Sequence, residues 1–449
     1  MSQISQSSVV KSELNIKQGP PRTLMYFILT ICFISVAADG YDLGIYGAVL
    51  PSILQYEAWK LKESKHGVIA SSALIGMFIG TVFIGAITDR IGRKWTLIGC
   101  VTLFSLTMIA CAVAPTPELF GLFRFIGGIG LGGVLPTASV LAVEYSPPHR
   151  RSFNYSLMFC GCSIGTVLSA YLAILLLEAF GWRFMFWIGA IPLLLIPIMI
   201  KYLPESVNYL LSRNEREKAE KICERYQMDI SFFEDQEQGN KKEENVAVSK
   251  KSRSIKNLFK KEYLRATLFL WLTYVMGFYL VYGLITWLPQ IMNNLGYSLN
   301  SSLSFLLVMN LSAGIGAILV SVIADRRGSK AVLTICYFLA ALSAFLLTVG
   351  APLMIITYIL VGIAGLGSVG STQLLNAFVT KYYPVHLRAT GLGFGLGIGR
   401  IGAISGPILI GFLLSMNVDL IWSFYTFVIA GLIASIGIAL VPGKKDEII

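Results

Sequence analysis

The sequence predicts an all-α membrane protein of twelve transmembrane helices in two pseudo-symmetric six-helix halves, with N- and C-termini cytoplasmic. Three observations carry that expectation. The 449 residues are 55% hydrophobic and 14% charged, with a mean hydropathy of +0.69, more apolar than a water-soluble domain tolerates. Apolar runs long enough to cross a bilayer recur along almost the whole chain. A charged motif in the first half returns in the second at a constant offset. Only one sizeable polar stretch interrupts the apolar runs, so a single integral membrane unit is expected.

Each span follows from lipid acting as the solvent. About 20 apolar residues cover the roughly 30 Å hydrocarbon core, and only helices or closed barrels leave no backbone group unsatisfied there. These runs are too long for barrel strands. The expected helices are 24–54, 67–88, 95–114, 119–144, 154–178, 183–202, 264–293, 299–324, 331–350, 353–380, 389–416 and 421–441. They divide the chain into an N-terminal tail (1–23), a first half (24–202), a cytoplasmic linker loop (203–263), a second half (264–441) and a short tail (442–449). With the N-terminus inside, roughly 30 of the 36 Lys and Arg residues face the cytoplasm, and the outer loops hold only Lys60, Lys62, Lys65 and Arg183. That asymmetry accounts for the net charge of +11 without a polyanion, so nucleic acid is not an expected partner. No short apolar segment with a cleavage site precedes Leu24, so the first helix is expected to act as its own insertion signal. In the linker, Glu215 to Arg225 reads as a surface helix with Glu217 and Lys221 one turn apart, followed by a polar, disordered-type stretch through Ser254.

A shift of 236 residues lays Gly80 to Lys94 over Gly316 to Lys330, matching Asp89 to Asp325, Arg90 to Arg326 and Gly92 to Gly328. A shift of 237 aligns Pro147, His149 and Arg151 with Pro384, His386 and Arg388. Both copies of each motif face the cytoplasm, so the halves are expected to be parallel repeats about the membrane normal. The chain resembles the major facilitator superfamily over nearly its full length. Gly85 to Leu97 is similar to that superfamily's loop signature at Gly85, Asp89, Arg90, Gly92, Arg93 and Lys94; Glu144 to Arg151 and Pro204-Glu205-Ser206 resemble two further elements. The resemblance implies the major facilitator fold. Asp89 and Arg93 beside Glu144 and Arg151 are expected to form an inner-face charge network that gates the halves, with Asp325, Arg326 and Arg388 as its second copy. A bare role as topology determinants would leave their spacing unexplained.

An ionisable residue inside a spanning helix costs several kcal/mol, so each one is a functional hypothesis. Asp39, Asp42, Arg124 and Arg400 stand out. At 1.5 Å per residue, Asp39 and Arg124 both lie roughly 22 Å from the inner surface, and Arg400 lies roughly 16 Å from it. Asp39 and Asp42 share a helix face, so either is a partner for Arg124. Arg400 has no acid at comparable depth in its own half; it is expected either to bind a substrate carboxylate or to pair with an Asp of the first helix.

Asp39-Gly40-Tyr41-Asp42, Arg124 with Gly127, Gly130, Gly132 and Gly133, and Gly399-Arg400-Ile401-Gly402 together resemble the aromatic acid:proton symporter family. That resemblance implies import of a small aromatic carboxylate of benzoate, hydroxybenzoate or nicotinate type with protons, by alternating access, across the plasma (inner) membrane. It implies proton coupling by Asp39, Asp42, Arg124 and Glu144. Arg400 and Arg124 are expected in substrate binding, with Tyr41, Tyr279, Tyr282 and Asn310 as lining candidates. A proton-coupled sugar or other organic solute porter is the alternative, although the seventh span, GFYLVYGLITWLPQ, lacks a sugar porter's glutamines. An enzyme is not expected, since His66, His149 and His386 all read as loop residues and the seven cysteines as small apolar fillers. Gly391 to Gly402 mimics a dinucleotide fingerprint but lies in a spanning helix, where it reads as close helix packing. No cofactor beyond the proton gradient and no metal is expected; the partners are the organic anion, protons and lipid, and the protein is expected to be monomeric.

Overall fold

The computed structural model describes residues 19–59, 61–234, 257–349, 353–416 and 418–443; Lys60, the linker beyond 234 through Ser254 and the ends of both tails lie outside the described residues. All regular elements among the described residues are helices: α1 (Arg22–Leu54), α2 (Glu63–Ile91), α3 (Arg93–Val113), α4 (Pro117–Glu144), α5 (Arg151–Gly189), α6 (Ile196–Tyr202), α7 (Val207–Ser212), α8 (Arg216–Tyr226), α9 (Lys261–Asn294), α10 (Leu299–Arg327), α11 (Ser329–Val349), α12 (Met354–Gly365), α13 (Ser371–Tyr382), α14 (Val385–Ser415) and α15 (Ile421–Leu440). Eleven stretches are long and apolar enough to cross a membrane. One of them, Pro148–Tyr202, turns back at Gly181, whose φ of +76° only glycine adopts easily. Trp182 then packs on Trp59 at one end of the bundle, while Tyr202 meets Phe27 near the start of α1 at the other. That stretch therefore crosses twice.

The expected spans are present, with three local differences. The fifth and sixth spans have no loop between them, only the break at Gly181. The sixth relaxes into a 3-10 segment, Ile191–Leu195, where Pro192 and Pro197 remove backbone donors. The tenth is interrupted by a π-helical turn, Leu366–Gly370, between α12 and α13. In the linker, α8 forms as expected, but its ion pairs are Arg216–Glu220, Arg216–Glu234 and Lys218–Glu215, not Glu217–Lys221. Its buried Cys223 has a thiol that burial pushes up to about 11.

Lipid as solvent explains the surface. Large apolar side chains point outward, Leu194 at 73% exposure and Val349 at 71%, where they would be costly in water. With lipid on the outside, helices are held together by packing and close backbone approach more than by burial from water. Gly402 of α14 is one such point, since a Cβ there would sit on the Val275 carbonyl of α9. The registers of α2–α3 and α10–α11 coincide. α2 and α10 each have 29 residues, α3 and α11 each have 21, and the junctions are glycines at φ +100° (Gly92) and +87° (Gly328).

The helices run up and down between two ends of the bundle. One, here the basic face, carries residues 89–93, 145–151, 203–234 and 325–330; the other, the far face, carries the turns at 55–59 and 295–298. At the far face Arg183, expected as a plain loop charge, lies over Trp182 at 4.5 Å and donates to Ala112 O and Ala114 O. Helices α1–α6 meet α9–α15 along a seam. Gly47 lies against the Ile285 carbonyl, Gly67 against the Pro407 carbonyl and Gly411 against Glu63 O, while Ser71 Oγ donates to Ile404 O at 2.8 Å and Asn300 to Glu178 at 3.2 Å. These contacts all lie in the half of the bundle toward the far face. At the basic face each helix set is bonded within itself, through Lys94 Nζ to Ile200 O (2.8 Å) in one and Lys330 Nζ to Val441 O (2.7 Å) in the other.

A close-packed bundle of this kind is expected to respond to side-chain volume at the backbone crossings. Gly402→Val should destabilise by about 1–3 kcal/mol through overpacking. Gly99→Ala, with nothing within 4 Å of its Cβ position, should be neutral or slightly stabilising. The thermal midpoint of the detergent-solubilised protein checks both.

Candidate substrate and ion site

α1 carries both acids into the middle of the bundle, and its packing separates them. Asp42 faces α4 and forms an ion pair with Arg124 Nη1; both side chains are about 5% exposed or less. The Tyr46 ring also lies against the guanidinium, with its centroid 5.2 Å from the Arg124 carbon. Asp39, one turn earlier, is 4% exposed, and its Oδ1 has no hydrogen-bond partner. It lies in the fields of Asp42 and of Arg400. Arg400, midway along α14, donates to Tyr282 Oη at 3.4 Å, and the same field reaches Cys162 of α5. Asp39, Arg400, Tyr282 and Cys162 thus come together where α1, α5, α9 and α14 meet. Phe278, edge-on to Tyr282 at 5.9 Å, adds an apolar wall. The α1 helix reaches this point because Gly40 sits against the Cys162 carbonyl, where any side chain would collide.

The other expected lining residues divide. Asn310 lies between α10 and α5, its amide donating to Thr166 O at 3.4 Å. Tyr41 is turned away from Arg400, its hydroxyl donating to Met185 O at 2.8 Å. Tyr279 packs toward α15, with its ring 6.3 Å from Phe427. Arg124, expected both to couple protons and to bind substrate, is occupied by Asp42 and Tyr46.

Of the four charges expected to form a network at the basic face, Asp89, Arg93 and Glu144 lie together and Arg151 is bonded apart from them. Arg93 pairs with Asp89 at 3.3 Å and lies over Tyr209, within the field of Glu144. Glu144 itself accepts from Ser206 Oγ (2.6 Å) and Asn208 N (3.0 Å), and Arg151 donates to Ser146 O at 3.5 Å. Arg90 offers its carbonyl to Tyr209, and Lys94 lies beside Trp95. In the other helix set Asp325 pairs with Lys381 at 3.4 Å, Arg388 donates to Tyr383 O at 3.2 Å, and Arg326 is exposed. Glu205, quoted above only as part of a motif, is a central anchor here: its Oε1 accepts the backbone N–H groups of Arg93, Lys94 and Ser206 at 2.7–2.9 Å. A carboxylate at the α3 N-terminus is the charge that end of a helix favours.

His66 corrects the sequence reading. It lies within α2, not in a loop, and is 1% exposed. His149 falls in the 3-10 turn Pro148–Arg150, and the backbone of His386 begins α14, while its side chain lies outside the described residues.

A lipid-facing helical bundle with ionised side chains at its centre is the architecture of a polytopic membrane transporter. A sequence profile of the Major Facilitator Superfamily matches residues 32–395 and 311–448, and the chain belongs to that superfamily and, within it, to the aromatic acid transporters. It is 36% identical over 425 residues to the benzoate transport protein of Acinetobacter baylyi, covering 92% of this chain and 88% of that one. It is 35% identical over 408 residues to the gentisate transporter of Corynebacterium glutamicum, covering 90% and 84%. In structure it is similar to the partially occluded inward-open form of the xylose transporter XylE from E. coli, with a TM-score of 0.76 and 19% identity over 94% of this chain and all of that one. At that identity the likeness shows the shared fold.

The Asp42–Arg124 pair generates a test. Breaking a buried ion pair on one side leaves an uncompensated charge, so Asp42→Asn should destabilise by about 3–5 kcal/mol. Adding Arg124→Gln should recover part of that loss. Thermal midpoints of the two single variants and the double variant close the cycle.

Proposed function

We propose that this protein imports a small aromatic carboxylate together with protons by alternating access in the plasma membrane. The observation that carries the reading is that Arg400, bonded to Tyr282, and Asp39, with an unpartnered oxygen, lie within each other's field. Relatives named for benzoate, gallate, gentisate and 4-hydroxybenzoate transport, at 31–36% identity, support the ring acid as cargo. The xylose symporters share only the fold at this identity and do not favour a sugar.

On this reading the basic face is cytoplasmic, because Lys and Arg are retained on that side, and both termini lie there. The two helix sets are halves related by the repeat, a relation supported by the matching lengths and left-handed glycines of α2–α3 and α10–α11. The Arg400 guanidinium receives the carboxylate as a charge-assisted pair, Tyr282 orients it, and Phe278 flanks the ring. Asp39 and Asp42 carry protons. A neutral Asp39 relieves competition for Arg400, and a neutral Asp42 loosens its hold on Arg124. Asn310, spanning α10 and α5, belongs to the same lining. The far-face seam is the closed gate and must part for loading, while Asp89, Arg90, Arg93, Lys94, Glu144, Arg151, Asp325, Arg326 and Arg388 brace the opposite, cytoplasmic gate. One proton with a monoanion moves no net charge, whereas a second proton would add roughly 2.3 kcal/mol per 100 mV of membrane potential.

Reconstituted vesicles given labelled benzoate-type acids, nicotinate or hexoses under an imposed pH gradient test this directly. Accumulation of an aromatic acid is expected; hexose uptake without acid uptake would overturn the assignment. Arg400→Gln, which removes a charge-assisted bond, should weaken acid binding by about 10- to 100-fold. Asp39→Asn should abolish gradient-driven accumulation while the protein stays folded. Normal accumulation in either variant removes that residue from the mechanism.

A further inference from the structure

We propose that His66 is a positioning residue that ties closure of the far face to the Asp42–Arg124 pair, and that protonation of its free nitrogen from the far side releases that tie. The inference rests on the proton-coupled reading above and adds to it a second titrating site, separate from the carboxylates of α1.

The geometry is a chain of contacts from the seam to the ion pair. His66 stands in the first turn of α2, and the next residue, Gly67, is pressed against the Pro407 carbonyl and Ile408 of α14, where the two helix sets meet. Tyr46 of α1 reaches His66 twice: its hydroxyl donates to His66 O at 3.1 Å and lies 3.4 Å from Nδ1. With the phenolic proton committed to the carbonyl, Nδ1–H is the donor to Tyr46 Oη, and the imidazole lone pair resides on Nε2. That nitrogen is buried and has no partner. The Tyr46 ring held by these two contacts lies against the Arg124 guanidinium, which is also bound to Asp42. Parting α2 from α14 therefore removes Pro407 and Ile408 from the first turn of α2, so the turn that carries the His66–Tyr46 link, and through it the cover over the pair, loses its packing partner.

The chemistry assigns a direction. An imidazolium buried in the closed seam would be strongly disfavoured, whereas water reaching Nε2 in the open seam accepts the charge. Acid on the far side thus favours the open seam. The charged and titratable groups around His66 are Tyr46 on α1, Arg124 behind its ring and Glu118 in the first turn of α4, and Lys62, Glu63 and Lys65 beside it at the start of α2. α9, which meets α1 at Gly47 and Ile285, carries no ionisable residue between 283 and 294, and α14 carries none between 401 and 415. The proton on Nε2 comes from far-face water and returns to it, so it is not the proton that is transported.

The test uses the full-length protein in vesicles, with initial acid uptake measured as the far-side pH is raised from about 5.5 to 8 at a fixed pH difference across the membrane. The wild-type rate should fall about tenfold as the imidazole range is crossed. H66Q, which keeps a hydrogen-bonding side chain without a titration, should retain substrate exchange at equal pH but lose this pH dependence. Y46F, which keeps the ring and loses both links, should show the same flat profile, and the double variant should add nothing further. A wild-type profile in H66Q overturns the proposal. If H66Q does not fold, a wild-type profile in Y46F overturns it instead. Asp39→Asn keeps the two readings distinct: accumulation surviving in that variant removes proton coupling through the carboxylate, whatever the His66 profiles show.

Discussion

Ionised groups in a lipid-solvated bundle set the terms for the whole molecule. A guanidinium or carboxylate in that interior persists only if another charge or a dense set of dipoles answers it. Arg124 is answered twice, by Asp42 and by the face of Tyr46, and the result is a locked unit inside α1–α6. Arg400 is answered weakly, by one long bond to Tyr282 and by the field of Asp39 across the seam. The difference between a satisfied and an unsatisfied cation, side by side, is what gives the centre a use.

The surrounding structure holds that difference in place. Gly40 lets α1 pack closely on α5 and Gly402 lets α14 pack closely on α9, and where these helices meet Asp39 lies in the field of Arg400. At the basic face, acids are spent on local donors: Glu205 on the backbone amides of Arg93, Lys94 and Ser206, and the buried Glu144 on the Ser206 hydroxyl and the Asn208 amide. These bonds tie loops to helix ends within one helix set. On the proposed cycle, each set can then move as a body about the seam, because its loops stay fixed to its own helices.

The spans were legible in the sequence because hydropathy over 20 residues is a strong signal when lipid is the solvent, and Asp39, Asp42, Arg124 and Arg400 stood out against that apolar background. Which acid meets which arginine was not legible, since Asp39 and Asp42 share a face and only the packing of α1 on α5 and α4 separates them. Tyr41 and Tyr279 look like Tyr282 in one dimension, yet their hydroxyls or rings are taken up by Met185 and Phe427. His66 was misplaced because four polar residues, Glu63 to His66, obscure the first turn of α2, where helix geometry continues past the apolar run. Glu205 carried no spacing signal of its own, because its partners are backbone amides about 110 residues away.

The repeat and its failures argue together. Lys94 and Lys330, equivalent in register, each donate to a carbonyl near the end of the last helix of their set, Ile200 in one and Val441 in the other. Gly92 and Gly328 make the same left-handed turn. Scaffold residues therefore repeat. The central charges do not: at the register of Asp39, Asp42, Arg124 and Arg400 the other set has Met276, Tyr279, Val361 and Ser163. If both sets carried an acid pair and an arginine, each would neutralise its own charges and nothing would be left to answer an incoming anion. With two acids and Arg124 in one set and Arg400 in the other, neutralising Arg400 requires either the seam to bring Asp39 close or a carboxylate from outside the protein. Those alternatives compete for one cation, and that competition is the physical basis on which cargo binding and proton occupancy would be linked.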